Sequence, residues 1–336
     1  MQKKSLVITS ISSPNDVLKA YAKGCLQNDI SYYVIGDVSS PKVFSLEGCQ
    51  FFDIEDQQTL DFKFAKIAPV RHYARKNIGY LLAIRDGNKI IIETDDDNFP
   101  FESFWDQRQK NVASVGLQNT GWTNIYKYFS DERVIWARGF PLEKVLDSHL
   151  PEIGSLNQIQ INCPIQQGLA DENPDVDAIY RLVKKLPLVF KKGPNIALGH
   201  NSWHPFNSQN TTWFDEAFPL LYLPSYCSFR MTDIWRSYVA QRIAWECGWS
   251  VLYHSATVYQ QRNEHSLIKD FEQEIPGYLQ NMNIVAGLEK LNLKSGVENI
   301  YDNLRECYKY LVDNKYVGEG ELALVEAWIF DCSKYQ

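Results

Sequence analysis

The chain has no Cys-x-x-Cys pair, and its seven cysteines (Cys25, Cys49, Cys163, Cys227, Cys247, Cys307, Cys332) are odd in number and widely scattered. That excludes a paired disulfide framework and a zinc cage, and leaves the thiols as reduced, mostly buried small hydrophobes. Only six histidines are present, which weighs against a metal-dependent phosphohydrolase. No apolar run reaches the ~18 residues needed to span a bilayer. The segment from Leu6 to Ile11 is too brief for a signal-peptide core and has no cleavage site behind it. A cytoplasmic location is the expectation, with peripheral association with a membrane left open. An excess of positive charge is also missing: the net charge is -7, so no nucleic-acid partner is expected and any bound phosphate must be held by local groups. Internal repeats and low-complexity segments are absent. What is there, 336 residues with 45% hydrophobic and 13% aromatic content, suffices for one large core or two smaller ones sharing an interface.

The first hundred or so residues alternate short β-branched runs with helical patterns, the signature of a sheet with crossover helices. Strands are expected at Ser5 to Ser10, Ser31 to Ile35 and Phe51 to Asp53, and a helix from Asn15 to Gly24. An amphipathic helix from Ala74, stopped by Gly87, leads into a buried strand at Ile90-Ile91-Ile92. The middle is irregular, with strands expected at Val134 to Trp136 and Ser250 to Tyr253 and a helix from an N-cap at Thr232 to Gly248. Helical spacing returns at Ile300, Leu304, Cys307 and Leu311 and at Val325, Trp328 and Ile329. The division that follows is 1-110, 111-270 and a helical appendage at 271-336.

The buried strand Ile90-Ile91-Ile92 runs into Glu93-Thr94-Asp95-Asp96-Asp97. Consecutive aspartates at the mouth of a sheet repel one another unless a cation neutralises them, and magnesium or manganese bound by carboxylates keeps positions open for phosphate oxygens. A solvated turn before Pro100 is the competing reading. Upstream, Arg71 and Arg75 are one helical turn apart near a helix start, where a diphosphate or a uracil carbonyl could sit. A second acidic cluster, Asp171, Asp175 and Asp177, and the loop Trp203, His204, Asn207, Ser208, Gln209 and Asn210 combine carboxylates and amides with tryptophan, as carbohydrate recognition requires. A polar surface loop would look the same.

The segment Arg75-Lys76-Asn77-Ile78-Gly79-Tyr80-Leu81-Leu82-Ala83-Ile84, followed by a short apolar strand into aspartates, resembles the STELLO family, the DUF288 proteins. Further matching stretches are Trp136 to Leu142, Gln167 to Asp171, Pro174-Asp175-Val176-Asp177, Pro205 to Thr211, Asp233 to Arg236, and Arg262-Asn263-x-His265 with Asp270-Phe271. A weaker similarity points to the reversibly glycosylated polypeptides, which are UDP-arabinopyranose mutases. The resemblance implies an α/β fold of the GT-A kind: an open mixed sheet flanked by helices, Rossmann-like in its nucleotide-binding half, with a C-terminal helical appendage. It also implies a metal-dependent glycosyltransferase moving a sugar from a nucleotide-sugar donor, UDP-linked, to a glycan or lipid-linked acceptor. A nucleotide-sugar mutase or a non-catalytic organiser of other glycosyltransferases is the alternative. The family's plant members carry a membrane anchor that is not found in this sequence.

Carried onto this chain, the resemblance assigns the nucleotide to Thr9, Ser10, Asp37, Arg71, Arg75, Asn77, Asp95, Asp96 and Arg262. Mn2+ or Mg2+ falls to Asp95 and Asp97, which a strand would place on one side with Asp96 turned away, and to His265 or His254. Asp233, in the first turn of its helix, is the expected catalytic base, with helix capping as the plain alternative. Sugar or acceptor contacts are expected from Asp171, Asp175, Asp177, Trp203, Asn207, Gln209 and Asn210.

Overall fold

The structure is a computed structural model and describes residues 2–146, 150–261 and 266–336. In β1 (Lys4–Thr9) alternate side chains part company: Leu6 and Ile8 pack on one face of the sheet and Val7 on the other. Between β1 and the acidic run lie α1 (Asp16–Gln27), β2 (Ile30–Ile35), β3 (Gln50–Phe52), α2 (Ile54–Thr59), α3 (Lys63–Ile67), α4 (Lys76–Arg85) and β4 (Ile90–Thr94). The same alternation divides Tyr32 and Val34 from Tyr33 and Ile35, and Ile90 and Ile92 from Ile91. One face is covered by α1 through Val17, Leu18 and Tyr21, the other by α4.

The chain continues through β5 (Asn98–Pro100), β6 (Asn111–Leu117), β7 (Gly121–Trp122), β8 (Ile159–Asn162), β9 (Ile165–Asp171), α5 (Ala178–Val183), β10 (Ile196–Leu198), β11 (Ser202–Trp203) and β12 (Asn210–Phe214). It ends with α6 (Thr232–Glu246), β13 (Val251–Gln260), α7 (Leu267–Lys290), α8 (Ile300–Asp313) and α9 (Glu321–Ser333). The main sheet has the order β3-β2-β1-β4-β12-β9-β13-β10-β6-β8. Its first four strands are parallel, and β12 lies antiparallel between β4 and β9. This is the expected open mixed sheet flanked by helices, with a Rossmann-like parallel half and helices at the C-terminal end. Among the described residues no helix is long and apolar enough to cross a membrane.

Several elements differ from expectation for identifiable reasons. α4 is not amphipathic, because every residue from Lys76 to Ile84 is buried between the sheet and the later helices. Gly79 makes that close approach to the sheet fit: a Cβ there would lie 2.5 Å from a Val7 methyl carbon. Val134 to Trp136 form no strand; the Ile135 carbonyl accepts instead from the Asn124 side chain at 2.7 Å. Thr232 makes no side-chain cap and begins the helix itself, its hydroxyl beside Cys227 Sγ. β13 runs past Tyr253 to Gln260 with its register shifted between His254 and Val258, so strict alternation breaks there. α7 escapes a periodicity search because its buried face includes Asp270, Glu274 and Asn281, while Ile268 and Leu279 are exposed.

Two buried carboxylates tie distant elements together. Glu93 in β4 accepts both arms of the Arg236 guanidinium at 3.0 and 2.8 Å, the Trp213 indole at 2.8 Å and the Tyr80 hydroxyl. Glu321, the first residue of α9, accepts the amides of Ser225 and Tyr226 and the Tyr222 hydroxyl. Breaking a buried pair strands the remaining charge, so Arg236→Met should lower the unfolding free energy by about 3–5 kcal/mol. Denaturant titration checks this, and Glu93→Leu combined with Arg236→Met should recover a large part of the loss.

Candidate functional site

The turn after β4 decides what the aspartates can do. The strand ends at Thr94, and Asp95 to Asp97 turn the chain into β5, so the two-sided rule of an extended strand does not govern the run. Asp95, Asp96 and Asp97 all border one cavity of about 550 Å³ at the carboxyl ends of β1, β2 and β4. The expectation that Asp96 turns away is therefore corrected. Ser10 Oγ donates to its carboxylate, and the Asn15 side chain holds its carbonyl at 2.9 Å. Asp97 accepts the Gln260 amide at 3.1 and 3.0 Å. Asp95 accepts Lys76 Nζ at 2.9 Å. Burial raises the pKa of Asp95 and Asp96 above the ordinary carboxylate range, against the opposing pull of Lys76 on Asp95 and of the Ser10 hydroxyl on Asp96.

The nucleotide end of the cavity is built on the end of β2. Thr9, Ser10, Asp37, Arg71 and Arg75 all line it, but Arg71 and Arg75 do not share a helix face. Arg71 is exposed and in the left-handed region with φ +59°, ahead of a single 3₁₀ turn over Tyr73–Arg75. Arg75 is buried, its Nε on Gln57 Oε1 at 2.8 Å and its Nη1 on the Ala68 and Pro69 carbonyls. Its Nη2 is buried without a hydrogen-bond partner. Asp37 accepts the amide of His72 at 2.9 Å and so fixes this segment to the sheet. The His72 ring accepts the Ala74 amide at Nδ1, which places the neutral ring's proton on Nε2. Burial lowers its pKa to about 4, and Nε2 is a buried donor with no partner at the cavity wall.

At the other end Arg138 holds two carboxylates at once. Its guanidinium meets Asp175 at 2.8 and 2.9 Å and Asp233 at 2.9 and 2.9 Å, and also donates to the Arg230 carbonyl. Asp233 further accepts the amides of Ser208 and Ile234. Burial alone would raise its pKa, but Arg138 dominates and holds it down to about 2. A carboxylate so engaged is a weak proton acceptor, which weighs against the expectation of Asp233 as the base, although it does line the cavity. Asp175 accepts in addition the Asn207 amide at 2.9 Å.

With this geometry in view, the sequence likenesses become informative. The profile of the family described as STELLO glycosyltransferases matches residues 230–335, which span α6 to α9. Two proteins of Arabidopsis thaliana, described as probable glycosyltransferases STELLO2 and STELLO1, are each 26% identical over 351 residues, covering 98% of this chain. The chain is similar to the STELLO proteins. It spans 44% of the length of those two relatives. Among solved structures, a mycobacterial protein overlays with a TM-score of 0.44 at 11% identity, covering 84% of this chain and 75% of that one. A glucosyl-3-phosphoglycerate synthase of M. tuberculosis overlays with a TM-score of 0.42 at 10% identity, covering 84% and 81%.

Several residues expected at the site lie outside the cavity lining. Asn77 is a buried staple whose amide pairs with both backbone groups of Leu223. His254 packs over Gly168 with Nδ1 on the Ser255 carbonyl, away from the aspartates. Asp177 caps α5 and accepts the Trp136 indole, and Asp171 accepts the Phe190 amide. Trp203 is buried with its indole on Glu289, and Asn210 binds the Leu169 carbonyl and the Thr257 hydroxyl. Asn207 reaches the site through Asp175 and the Gln209 amide, whereas Gln209 lines the cavity directly. Arg262 and His265 lie outside the described residues. Lys76, His72, Tyr73 and Arg138 were not singled out from sequence. Lys76 and Arg138 sat inside the resembling stretches, but their partners are far along the chain.

Buried neutral histidines leave a pH signature. Burial holds His204 down to about 3, below its ordinary 6.5. The unfolded chain therefore takes up that proton first, and this contribution to stability is lost as pH falls from about 6.5. Asp177 and Glu321, both raised to about 7 by burial, act in the opposite direction. A comparison with His204→Gln isolates the histidine: the stability lost between pH 7 and 4.5 in urea titrations should be about 2 kcal/mol smaller in the variant.

Proposed function

We propose that the chain is a glycosyltransferase that takes a uridine-diphosphate sugar in this cavity and transfers the sugar to a glycan or lipid-linked acceptor. The observation that carries the reading is the set of groups at the end of β2. Two buried donors without partners, His72 Nε2 and Arg75 Nη2, border the same cavity as the Asp37 carboxylate. A uracil edge offers two carbonyl acceptors flanking one N–H, the complement of two donors and a carboxylate. Leaving such donors buried and unsatisfied is costly, which favours a ligand that fills them. The likeness to proteins described as glycosyltransferases supports the sugar-transfer half of the reading.

Beyond the base the cavity turns acidic, where a diphosphate needs a cation. Among the described residues no group of three His, Cys, Asp or Glu could hold a metal by itself. Asp95 and Asp97 fit the other mode, in which magnesium or manganese is bound by one or two carboxylates together with substrate phosphates. A cation there would stabilise the negative charge of the departing diphosphate. Asp175, lining the cavity and held by Arg138 and Asn207, is a hydrogen-bond acceptor that orients the acceptor hydroxyl rather than a strong base for its proton. Asp233 serves as the second counter-ion that keeps the Arg138 fork in place.

Thermal-shift titrations test this reading, since a ligand of the native state raises the melting temperature. UDP with manganese should bind at least about tenfold more tightly than GDP or CDP, whose base edges mismatch two donors and a carboxylate. Asp37→Asn should weaken UDP by about ten- to a hundredfold, the loss expected for a hydrogen bond to a charged group. Unchanged UDP and manganese binding after Asp95→Ala with Asp97→Ala would remove the site assignment.

A further inference from the structure

The first turn of α4 buries a lysine that no packing argument demands. Lys76 is 0% exposed, and its Nζ reaches the Thr94 carbonyl at 2.8 Å, Asp95 Oδ1 at 2.9 Å and the Ser208 carbonyl at 3.4 Å. The position is unfavourable twice over: an ammonium loses its hydration there, and a cation at a helix start opposes the helix dipole. Three acceptors occupy its three N–H groups, so none is left to point at a ligand phosphate. The donor found on the next carboxylate, the Ser10 hydroxyl on Asp96, is neutral. Lys76 by contrast places a full positive charge against Asp95.

We propose that Lys76 is a resident counter-ion for Asp95, which keeps the acidic run from capturing a divalent cation on its own and makes cation binding conditional on a diphosphate. The inference rests on the reading of the cavity as a nucleotide-diphosphate site. With its first carboxylate already paired, the run attracts a free divalent cation weakly. A bound diphosphate adds both the negative charge and the oxygen ligands that the protein side lacks. Lys76 is thus a positioning residue: it acts through Asp95 and touches no substrate.

Manganese binding followed by electron paramagnetic resonance of the free ion tests this without reference to turnover. The parent protein is titrated with Mn2+ alone, with Mn2+ and UMP, and with Mn2+ and UDP. Affinity should be weak alone, little changed by UMP, and at least about tenfold tighter with UDP. Lys76→Gln, with its fold checked by circular dichroism, should bind Mn2+ alone at least about tenfold more tightly than the parent, because Asp95 has lost its paired cation. Equal affinity of parent and variant for Mn2+ alone, or a parent that binds Mn2+ as well without UDP as with it, overturns the proposal. A variant that does not fold leaves the three parent titrations to decide. Failure of the underlying nucleotide reading looks different: UDP would not bind the parent at any Mn2+ concentration.

Discussion

The paired guanidinium and carboxylate of Arg236 and Glu93 govern the geometry of this protein. Both are buried, on α6 and β4 respectively, and Glu93 lies two residues before Asp95. Buried ion pairs contribute little net stability against an apolar replacement, so the value of this one lies in position. It sets where α6 rests along β4. Asp233, one helical turn before Arg236, is thereby delivered to the cavity, where Arg138 meets it. The aspartate turn and the carboxylate pair at the far wall are located by the same contact.

The cavity that results is divided by charge. At the β2 end stand N–H groups without acceptors and a carboxylate already committed to a backbone amide. At the β4 end stand Asp95 and Asp96, whose pKa burial raises and each of which accepts a hydrogen bond from a neighbouring side chain. The segment from Arg71 to Lys76 contributes to both ends, since His72 and Arg75 face the first and Lys76 serves the second. A strained left-handed residue, Arg71, opens that segment, and strain of this kind gathers where a chain must place several groups at once.

The parallel half of the fold was legible because its signals are local. β1, β2 and β4 are short β-branched runs, and Gly87 at φ +75° stops the helix where a glycine was read as a stop. The aspartate run was legible for the same reason, as was the nearness of Ser10 and Asp37. What could not be read depends on residues far apart. Arg138 finds its partners 37 and 95 positions away, and no spacing rule connects them. The reading of His254 as a ligand failed because a histidine at a strand end looks the same whether it faces a cavity or packs over a glycine. α7 was expected only as part of a helical appendage, with no pattern of its own, because its buried side mixes Asp270, Glu274 and Asn281 with Ile284, Val285 and Leu288.

The carboxylate of Glu321 has a consequence for how the molecule comes apart. It gathers the amides of Ser225 and Tyr226, a few residues before Phe229 and Arg230 at the cavity wall. The last helix and the rim of the cavity therefore form one cooperative unit, although almost a hundred residues of chain separate them. Loosening of α9 would release those amides, so the packing of this helix and the shape of the cavity mouth are linked through one carboxylate.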